Sequence, residues 1–409
     1  MLLKMILSKQ HLLIAGLGLT LVGCQYNASQ VDVSQTSSTP AGVIETIHGA
    51  EVADPYRYLE EESEATYAWV KQQQQAGHDY LAQIENKQVI VDRITQLWNF
   101  EKVSAPAEHG DNTFYYRNNG LQAQSVLYVK NKAGEEKVAL DPNTFSSDGT
   151  VALNGVSVSR DGKIIAYGVS KSGSDWQQWQ FVDVATGEKL IDELNWIKFS
   201  SAQWSQDNQG VYYSRYDAPE GGNLLADVNF NQKIYFHQLG TEQSQDRLVY
   251  ERPQNKDWGF GAEVSEQGDY LLISISQGTD SRNRFFYKSL TEANAQVVEL
   301  IVDLEAEYSF LGNDKSVFYF KTDLDAPNGK VIAIDVNRPA KANWKTIIAE
   351  SSDPIASVAI INDHLVVSYL HDVLGQLSIF SMNGVKRQDV DLPGKGKIAG
   401  PYGKRSKDY

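Results

Sequence analysis

Hydrophobic and polar positions along this chain follow one repeating phrase: a short polar turn, then a strand crowded with aromatic and branched residues. The fullest copy runs from Val156 to Asp192. Val156 and Val158 alternate with serines, Arg160-Asp161-Gly162-Lys163 turns the chain, and Ile164, Ile165, Ala166 and Tyr167 form an apolar run. Asp-Gly between two such runs is a strong hairpin signal, because both residues accept positive φ. Ser172-Gly173-Ser174-Asp175 leads into Trp176 to Val184, and Thr186-Gly187-Glu188 leads into Lys189 to Asp192. The pattern predicts a four-stranded antiparallel meander.

The same phrase recurs along the chain. His109-Gly110-Asp111-Asn112 precedes Phe114-Tyr115-Tyr116, and Gln206-Asp207-Asn208-Gln209-Gly210 precedes Val211-Tyr212-Tyr213. Glu266-Gln267-Gly268-Asp269 precedes Tyr270-Leu271-Leu272-Ile273. Gly312-Asn313-Asp314-Lys315 precedes Val317-Phe318-Tyr319-Phe320, and Asn362-Asp363-His364 precedes Leu365-Val366-Val367. The copies stand roughly 47 to 59 residues apart, the period of propeller blades. One four-stranded sheet cannot bury both faces alone, whereas radially stacked sheets cover each other. An unrelated run of hairpins in a sandwich is the alternative. Six copies with one internal grammar favour the ring, so a mainly β propeller is expected over residues 101–409. One more period of roughly 47 residues after Leu365 runs past Tyr409, which predicts six blades and a partial seventh.

Before the ring the period changes. Asp54-Pro55-Tyr56-Arg57-Tyr58-Leu59-Glu60 reads as a turn with an aromatic anchor. Ser63 is the expected N-cap of a helix reaching about Ile84, with Glu64 in its first turn. Trp69, Val70, Tyr80, Leu81 and Ile84 are its candidate buried positions. A second helix, about Val89 to Trp98, puts Ile90, Ile94, Leu97 and Trp98 near one face. Such stripes mark packing against another body rather than a cofactor site. Residues 43–100 are therefore expected to form a helical segment.

The N-terminus reads as an address. Lys4 and Lys9 flank a short positive start, and the apolar run Leu12 to Leu21 is too short to span a bilayer. It ends in Leu21-Val22-Gly23-Cys24, which resembles a bacterial lipobox. Residues 1–23 are then a lipoprotein signal peptide and Cys24 the lipidated residue. An ordinary signal with an incidental cysteine is the other reading. Gln25 rather than aspartate after Cys24 favours the periplasmic side of the outer membrane or the cell surface. Residues 24–42, rich in Ser, Gln, Thr and Asn, read as a flexible tether.

Composition narrows the chemistry. The 409-residue chain carries a net charge of −15. It has no basic run that would neutralise phosphates, so nucleic acid is not an expected partner. Cys24 is the only cysteine, which excludes an internal disulfide framework and any cysteine-based metal cluster. No Gly-x-Ser-x-Gly elbow, His-Glu-x-x-His, P-loop or Gly-x-Gly-x-x-Gly occurs. Asp323-Leu324-Asp325 with Asn328-Gly329 echoes a calcium loop, but the spacing and terminal glutamate are wrong, so a solvated hairpin turn is expected. His364 and His371 lie beside Asp363 and Asp372 without a nucleophile, which reads as turn polarity. No catalytic residue, metal or cofactor is expected within the chain.

Several stretches resemble the prolyl oligopeptidase family of serine peptidases. They are Asp54-Pro55-Tyr56-Arg57-Tyr58-Leu59-Glu60 with Trp69-Val70, Asn119-Gly120-Leu121-Gln122 with Val126-Leu127-Tyr128-Val129, and Leu140-Asp141-Pro142-Asn143. Asp148-Gly149-Thr150-Val151-Ala152-Leu153, Ser172-Gly173-Ser174-Asp175-Trp176, Leu239-Gly240-Thr241 and Tyr369-Leu370-His371-Asp372 carry it further. The resemblance covers about residues 43–409. It implies a seven-bladed propeller capping an α/β-hydrolase domain that cleaves after proline with Ser, Asp and His. Those three residues follow the propeller in the family, and the N-terminal helices dock on the hydrolase domain. Gly400-Pro401-Tyr402-Gly403-Lys404-Arg405 corresponds to entry into the seventh blade.

The resemblance also implies substrate-lining positions. Asp175 sits where a family aspartate approaches an arginine of the hydrolase domain. Phe199, in Lys198-Phe199-Ser200, falls at an aromatic beside the pocket upstream of proline. Trp258-Gly259-Phe260-Gly261 and Gly278-Thr279 match two further lining stretches, although Gly259 and Thr279 replace larger or softer side chains. From the residues alone, Asp175 also fits an Asx turn and Phe199 the packing between sheets. The expected function is the propeller portion of a lipid-anchored prolyl oligopeptidase, inactive by itself, with short peptides and a hydrolase domain as partners. The alternative is a freestanding lipid-anchored propeller that binds peptides or proteins without catalysis.

Overall fold

A computed structural model describes residues 42–219 and 229–406; Cys24 and the signal segment lie outside them. The chain forms two compact units that divide after Ile94.

The first unit opens with a hairpin that the sequence did not announce. β1 (Val43–Ile47) pairs antiparallel with β2 (Ala50–Asp54). Its strands mix apolar with acidic residues and lack the aromatic runs that flag the later strands. The signal present is the two-residue turn His48-Gly49, both at positive φ (52° and 83°), as a tight hairpin requires. Arg57 pins the hairpin base, with Nη2 2.6 Å from Glu45 Oε2 and Nε 2.8 Å from Asp54 Oδ2. Residues 43–100 are thus a hairpin followed by helices, not helices alone.

α1 (Glu64–Ala82) starts where expected, with the Ser63 hydroxyl accepting the Thr66 amide at 3.2 Å. α2 (Lys87–Trp98) follows. The stripe expected to be buried is not: neither helix contains a buried residue, and Val70, Tyr80, Leu81, Ile84, Ile90, Ile94, Leu97 and Trp98 are all exposed. Only Trp69 is half-covered, its ring edge-on to Tyr56 at 6.2 Å. An amphipathic stripe specifies a face that favours cover, not the body that supplies it. No helix among the described residues is long and apolar enough to cross a membrane.

The second unit is a propeller of six sheets. The first sheet is β3 (Lys102–Val103), β4 (Ala107–His109), β5 (Asn112–Asn118), β6 (Val126–Lys130) and β7 (Glu136–Leu140). The second is β8 (Val151–Val158), β9 (Ile164–Lys171), β10 (Gln177–Asp183) and β11 (Lys189–Ile197). The third is β12 (Gln203–Trp204), β13 (Gly210–Arg215), β14 (Lys233–Gln238) and β15 (Arg247–Tyr250). The fourth is β16 (Trp258–Val264), β17 (Tyr270–Gln277), β18 (Arg284–Ser289) and β19 (Val297–Ile301). The fifth is β20 (Tyr308–Asp314), β21 (Val317–Thr322), β22 (Lys330–Asp335) and β23 (Lys345–Ile348). The sixth is β24 (Ile355–Ile361), β25 (His364–His371), β26 (Leu374–Ser381) and β27 (Lys386–Val390). Every sheet is an antiparallel meander, and in all six the pairing of the last two strands carries a register shift. Such bulges add local twist, and their recurrence marks one structural unit used six times. Asp323-Leu324-Asp325 lies in the connection between β21 and β22, as a turn.

The core sits between sheets. Five buried clusters join each sheet to the next. Successive residues of a strand serve opposite neighbours: Ile165 and Tyr167 pack toward the first sheet, while Ala166 between them packs toward the third. Phe318 and Phe320 face the fourth sheet and Tyr319 the sixth. This is the two-residue period of a strand buried on both faces. It explains why these strands read as unbroken apolar runs.

Residues beyond β27 add no strand among the described residues. The stretch expected to enter a seventh blade instead lies along β24: the Ser357 hydroxyl donates to Gly400 O at 2.5 Å, and the Asn362 amide to Lys404 O at 3.4 Å.

Candidate functional site

The meander order separates the ring's two ends. The first turn of each sheet, joining its first and second full strands, lies at one end. The second turns and the sheet-to-sheet connections lie at the other. Asp175 (second turn of the second sheet), Phe199 (connection to the third sheet), Trp258 (start of the fourth sheet) and Thr279 (its second turn) therefore share the second-turn end.

Phe199 is the most distinctive of them. It is 71% exposed and has φ 53°, so it does not pack between sheets. A non-glycine residue in the left-handed region is held there at a cost of about 1–3 kcal/mol. Its neighbours explain the hold. Trp196, also at positive φ (63°), meets Trp176 edge-on at 5.8 Å. Lys198 lays its ammonium over the Trp176 ring at 4.3 Å. Buried Gln232 donates to Lys198 O at 3.1 Å and accepts the Phe260 amide at 2.5 Å, tying the Phe199 segment to β16. Trp176, Trp196, Lys198 and Gln232 were not singled out as site residues from sequence. The aromatic density around 176–199 was a signal, but nothing local pointed to Gln232.

Asp175 is exposed, and the turn it ends is stabilised by the Ser174 hydroxyl accepting the Trp176 amide at 3.2 Å. The Asx-turn role thus belongs to a serine, not to Asp175. Thr279 is exposed and follows Gly278 at φ 56°. Beside it, Arg282 holds the Asp280 carboxyl down at about 2. Trp258 pairs with Gln277, and the Arg284 guanidinium stacks over its ring at 4.4 Å. Pairing between β16 and β17 brings Gly259 opposite Ser276, so the Trp258 stretch lies on a hairpin whose second strand leads into Thr279. Phe199 and that hairpin are joined through Gln232. Asp175 reaches them only through its neighbour Trp176.

A second strained apolar residue stands at the same end. The hairpin between β25 and β26 turns through Asp372 and Val373, at φ 44° and 61°. Val373 is 82% exposed, in a conformation that branched residues avoid. Leu121, Val302, Phe230 and Leu370 are exposed around this end as well, whereas among the described turns of the opposite end only Val385 is a comparably exposed large apolar residue.

The histidines among the described residues do not assemble a nucleophile–base pair. His371 Nδ1 is 2.9 Å from Asp353 Oδ1, and that hydrogen bond, with the charge of Asp353, raises its pKa. His364 Nδ1 is 2.6 Å from Asn362 O. His109 is half-buried, and burial lowers its pKa. His237 is fully buried, with Asp246 Oδ1 2.7 Å from Nδ1 and Asp192 Oδ1 3.0 Å from Nε2. No serine hydroxyl is hydrogen-bonded to a histidine, and no group of His, Cys, Asp and Glu is arranged to hold a metal ion, among the described residues. The arrangement can present an apolar, strained face to a ligand or partner.

Comparison with known proteins places this geometry. Residues 36–408 match the family model described as "Prolyl oligopeptidase, N-terminal beta-propeller domain". The chain is 34% identical over 363 residues to a prolyl endopeptidase of Elizabethkingia meningoseptica, covering 88% of this chain and 51% of the relative. It is 33% identical over 376 residues to prolyl oligopeptidase A of Amanita bisporigera, covering 83% and 49%. A solved structure of prolyl oligopeptidase B from Galerina marginata, bound to a 25mer macrocyclization substrate, superposes with TM-score 0.77 at 28% identity, covering 87% of this chain and 53% of that one. A structure from a study of two prolyl endopeptidases gives TM-score 0.69 at 33% identity, with 90% and 53% covered. The chain spans about half the length of the relatives it matches.

Proposed function

This chain belongs to the prolyl oligopeptidase family, and on that premise we propose that it is the N-terminal propeller portion of a serine endopeptidase acting on short proline-containing peptides. Its partner is a hydrolase domain docked on the second-turn end of the ring, with the peptide held between them near Phe199, Thr279 and Asp175.

The observation that carries this reading is the pair of exposed, strained apolar residues, Phe199 and Val373, on that one end. Burying a large apolar side chain is worth roughly 1.5–3 kcal/mol. That is the size of the cost of holding such a residue in the left-handed region, so a partner covering both positions offsets the strain. The exposed stripe of α2 is further apolar surface left without cover among the described residues. Asp175, without a hydrogen bond among the described residues, is available to a cation of that domain. These features also count against a freestanding binder, which would leave the whole set in water.

In the intact enzyme, acyl transfer needs a serine activated by a histidine, with an aspartate orienting the imidazole. Residues 25–409 produced alone are expected to show no turnover of a proline-specific fluorogenic peptide. They should bind a hydrophobic dye strongly, and a Phe199→Asp/Val373→Asp variant should bind it less. Measurable turnover, or a monodisperse monomer that ignores the dye, would sink this reading.

The lipobox supports a second element, attachment through Cys24 to the periplasmic side of the outer membrane or to the cell surface. Cys24→Ala is expected to move the full-length protein from the membrane to the soluble fraction. An unchanged distribution counts against lipidation.

A further inference from the structure

Every side-chain hydrogen bond among the described residues that skips a sheet lies at the first-turn end. The Arg160 guanidinium, from the first turn of the second sheet, reaches past the third sheet to the fourth. It donates to Glu266 O at 2.7 Å and Ser265 O at 2.9 Å. The Glu266 carboxylate receives the other end of the chain: the Arg405 amide at 2.9 Å, the Ser406 amide at 3.0 Å and the Ser406 hydroxyl at 2.5 Å. Arg405 then spreads over the fifth and sixth sheets. Its Nη1 donates to Asn313 O at 2.6 Å, Nη2 lies 3.4 Å from Asp314, and Nε lies 2.5 Å from Asp363. Adjacent first turns are bonded too, Asn112 to Gly162 O at 2.9 Å and the Arg160 amide to Asn208 at 2.8 Å. The second-turn end has bonds between neighbouring sheets, such as those of Gln232, but none that crosses the axis among the described residues.

The chemistry suits a brace. Burial alone would raise the Glu266 carboxyl, yet the donors from residues 405–406 bring it below its ordinary range. The charge-assisted bonds it makes are among the stronger ones available. Arg405 is only 19% exposed at its side chain, which limits the solvent screening that makes surface pairs weak. In a ring whose sheets touch only their neighbours, stability is close to a sum of nearest-neighbour interfaces. A contact linking the second, fourth, fifth and sixth sheets removes freedoms that those interfaces leave open.

We propose that Glu266 is the post of a polar cross-brace that locks the first-turn end of the ring, so that spreading of the six sheets is confined to the second-turn end. The ring then works as a hinge closed at one mouth, and the end that moves is the one carrying Phe199, Thr279 and Asp175. The mechanical claim stands without the peptidase role; only its use, admitting a peptide at the moving end, rests on that reading.

Distance distributions between paired spin labels test it on the full chain carrying Cys24→Ala. One pair, Lys163→Cys with Lys315→Cys, reports the first-turn end. The other, Lys171→Cys with Asp325→Cys, reports the second-turn end. The first pair is expected to give a narrow distribution and the second a distribution at least twice as wide. Glu266→Ala should broaden the first to match the second, and Glu266→Gln, which keeps an oxygen acceptor, should fall between. If Glu266→Ala fails to fold, Arg405→Ala removes the guanidinium from Asn313, Asp314 and Asp363 and should broaden the same pair. Equal widths in the parent protein, or a first-pair width untouched by these substitutions, overturns the brace. No peptide is needed, so the outcome is independent of whether the protein serves a peptidase.

Discussion

His237→Ala will destabilise the propeller by about 3–5 kcal/mol, the usual result of removing one member of a buried ionic group. The imidazole is fully buried between the second and third sheets, with a carboxylate on each ring nitrogen. Both nitrogens can donate at once only in the protonated ring. Each carboxylate has further donors: Asp192 accepts the Gly240 amide at 2.6 Å, and Asp246 accepts the Tyr213 hydroxyl at 2.5 Å. Removing the ring strands two carboxylates, themselves at most 2% exposed at the side chain, with no cation between them. Chemical denaturation at pH 6 measures the loss; a shift below about 1 kcal/mol would contradict the assignment.

The same site gives a pH signature of known sign. Burial opposes the charged ring, but the hydrogen bonds and charges of Asp246 and Asp192 prevail and raise the His237 pKa. In the unfolded chain the ring titrates near 6.5. Below that value both states hold the proton and the contribution is complete. Above it the unfolded state loses the proton first, so stability falls until the raised folded pKa is passed. The gap in midpoint between the parent protein and His237→Gln should therefore be constant below about pH 6.5 and shrink at higher pH. Taking a difference removes the opposing effect of His109, whose lowered pKa makes its contribution fail toward acid instead.

Phe318→Ala is expected to cost about 3–5 kcal/mol as well, for a different reason. Its ring is fully buried on β21 and lies 4.9 Å from Tyr270, 5.3 Å from Tyr287 and 5.5 Å from Phe310. These rings belong to the cluster joining the fourth and fifth sheets. Truncation removes transfer energy and leaves a cavity among rigid rings that cannot collapse into it. Because each interface is local, hydrogen exchange should accelerate first in β20–β27 while β8–β11 keeps its protection. Uniform acceleration across all six sheets would mean that the interfaces are not separable.

The second strands were legible because their environment is extreme. β9, β13, β17 and β21 lie between two neighbouring sheets, so both faces must be apolar, and a polar turn must precede each return. The hairpin β1–β2 was not legible for the opposite reason: its strands are largely exposed and carry no dense apolar run. The site was half legible. The resemblance pointed to Phe199, but a phenylalanine in a connection fits a core as well as a surface. Only its exposure and positive φ separate the two. His237 carries no local signal, since its partner Asp192 lies 45 residues earlier.

The amino-acid order by itself determined the repeating unit, its turns and the stacking of its sheets, because a two-residue apolar period and turn chemistry act within a few residues of one another. Tertiary structure alone decided which polar groups meet, Glu266 with Arg405 and Ser406, His237 with Asp192, Gln232 with Lys198 and Phe260. It also decided which apolar residues stay in water. Those outcomes depend on how sheets separated by tens of residues are brought face to face, and a single polar or aromatic letter does not encode its distant partner.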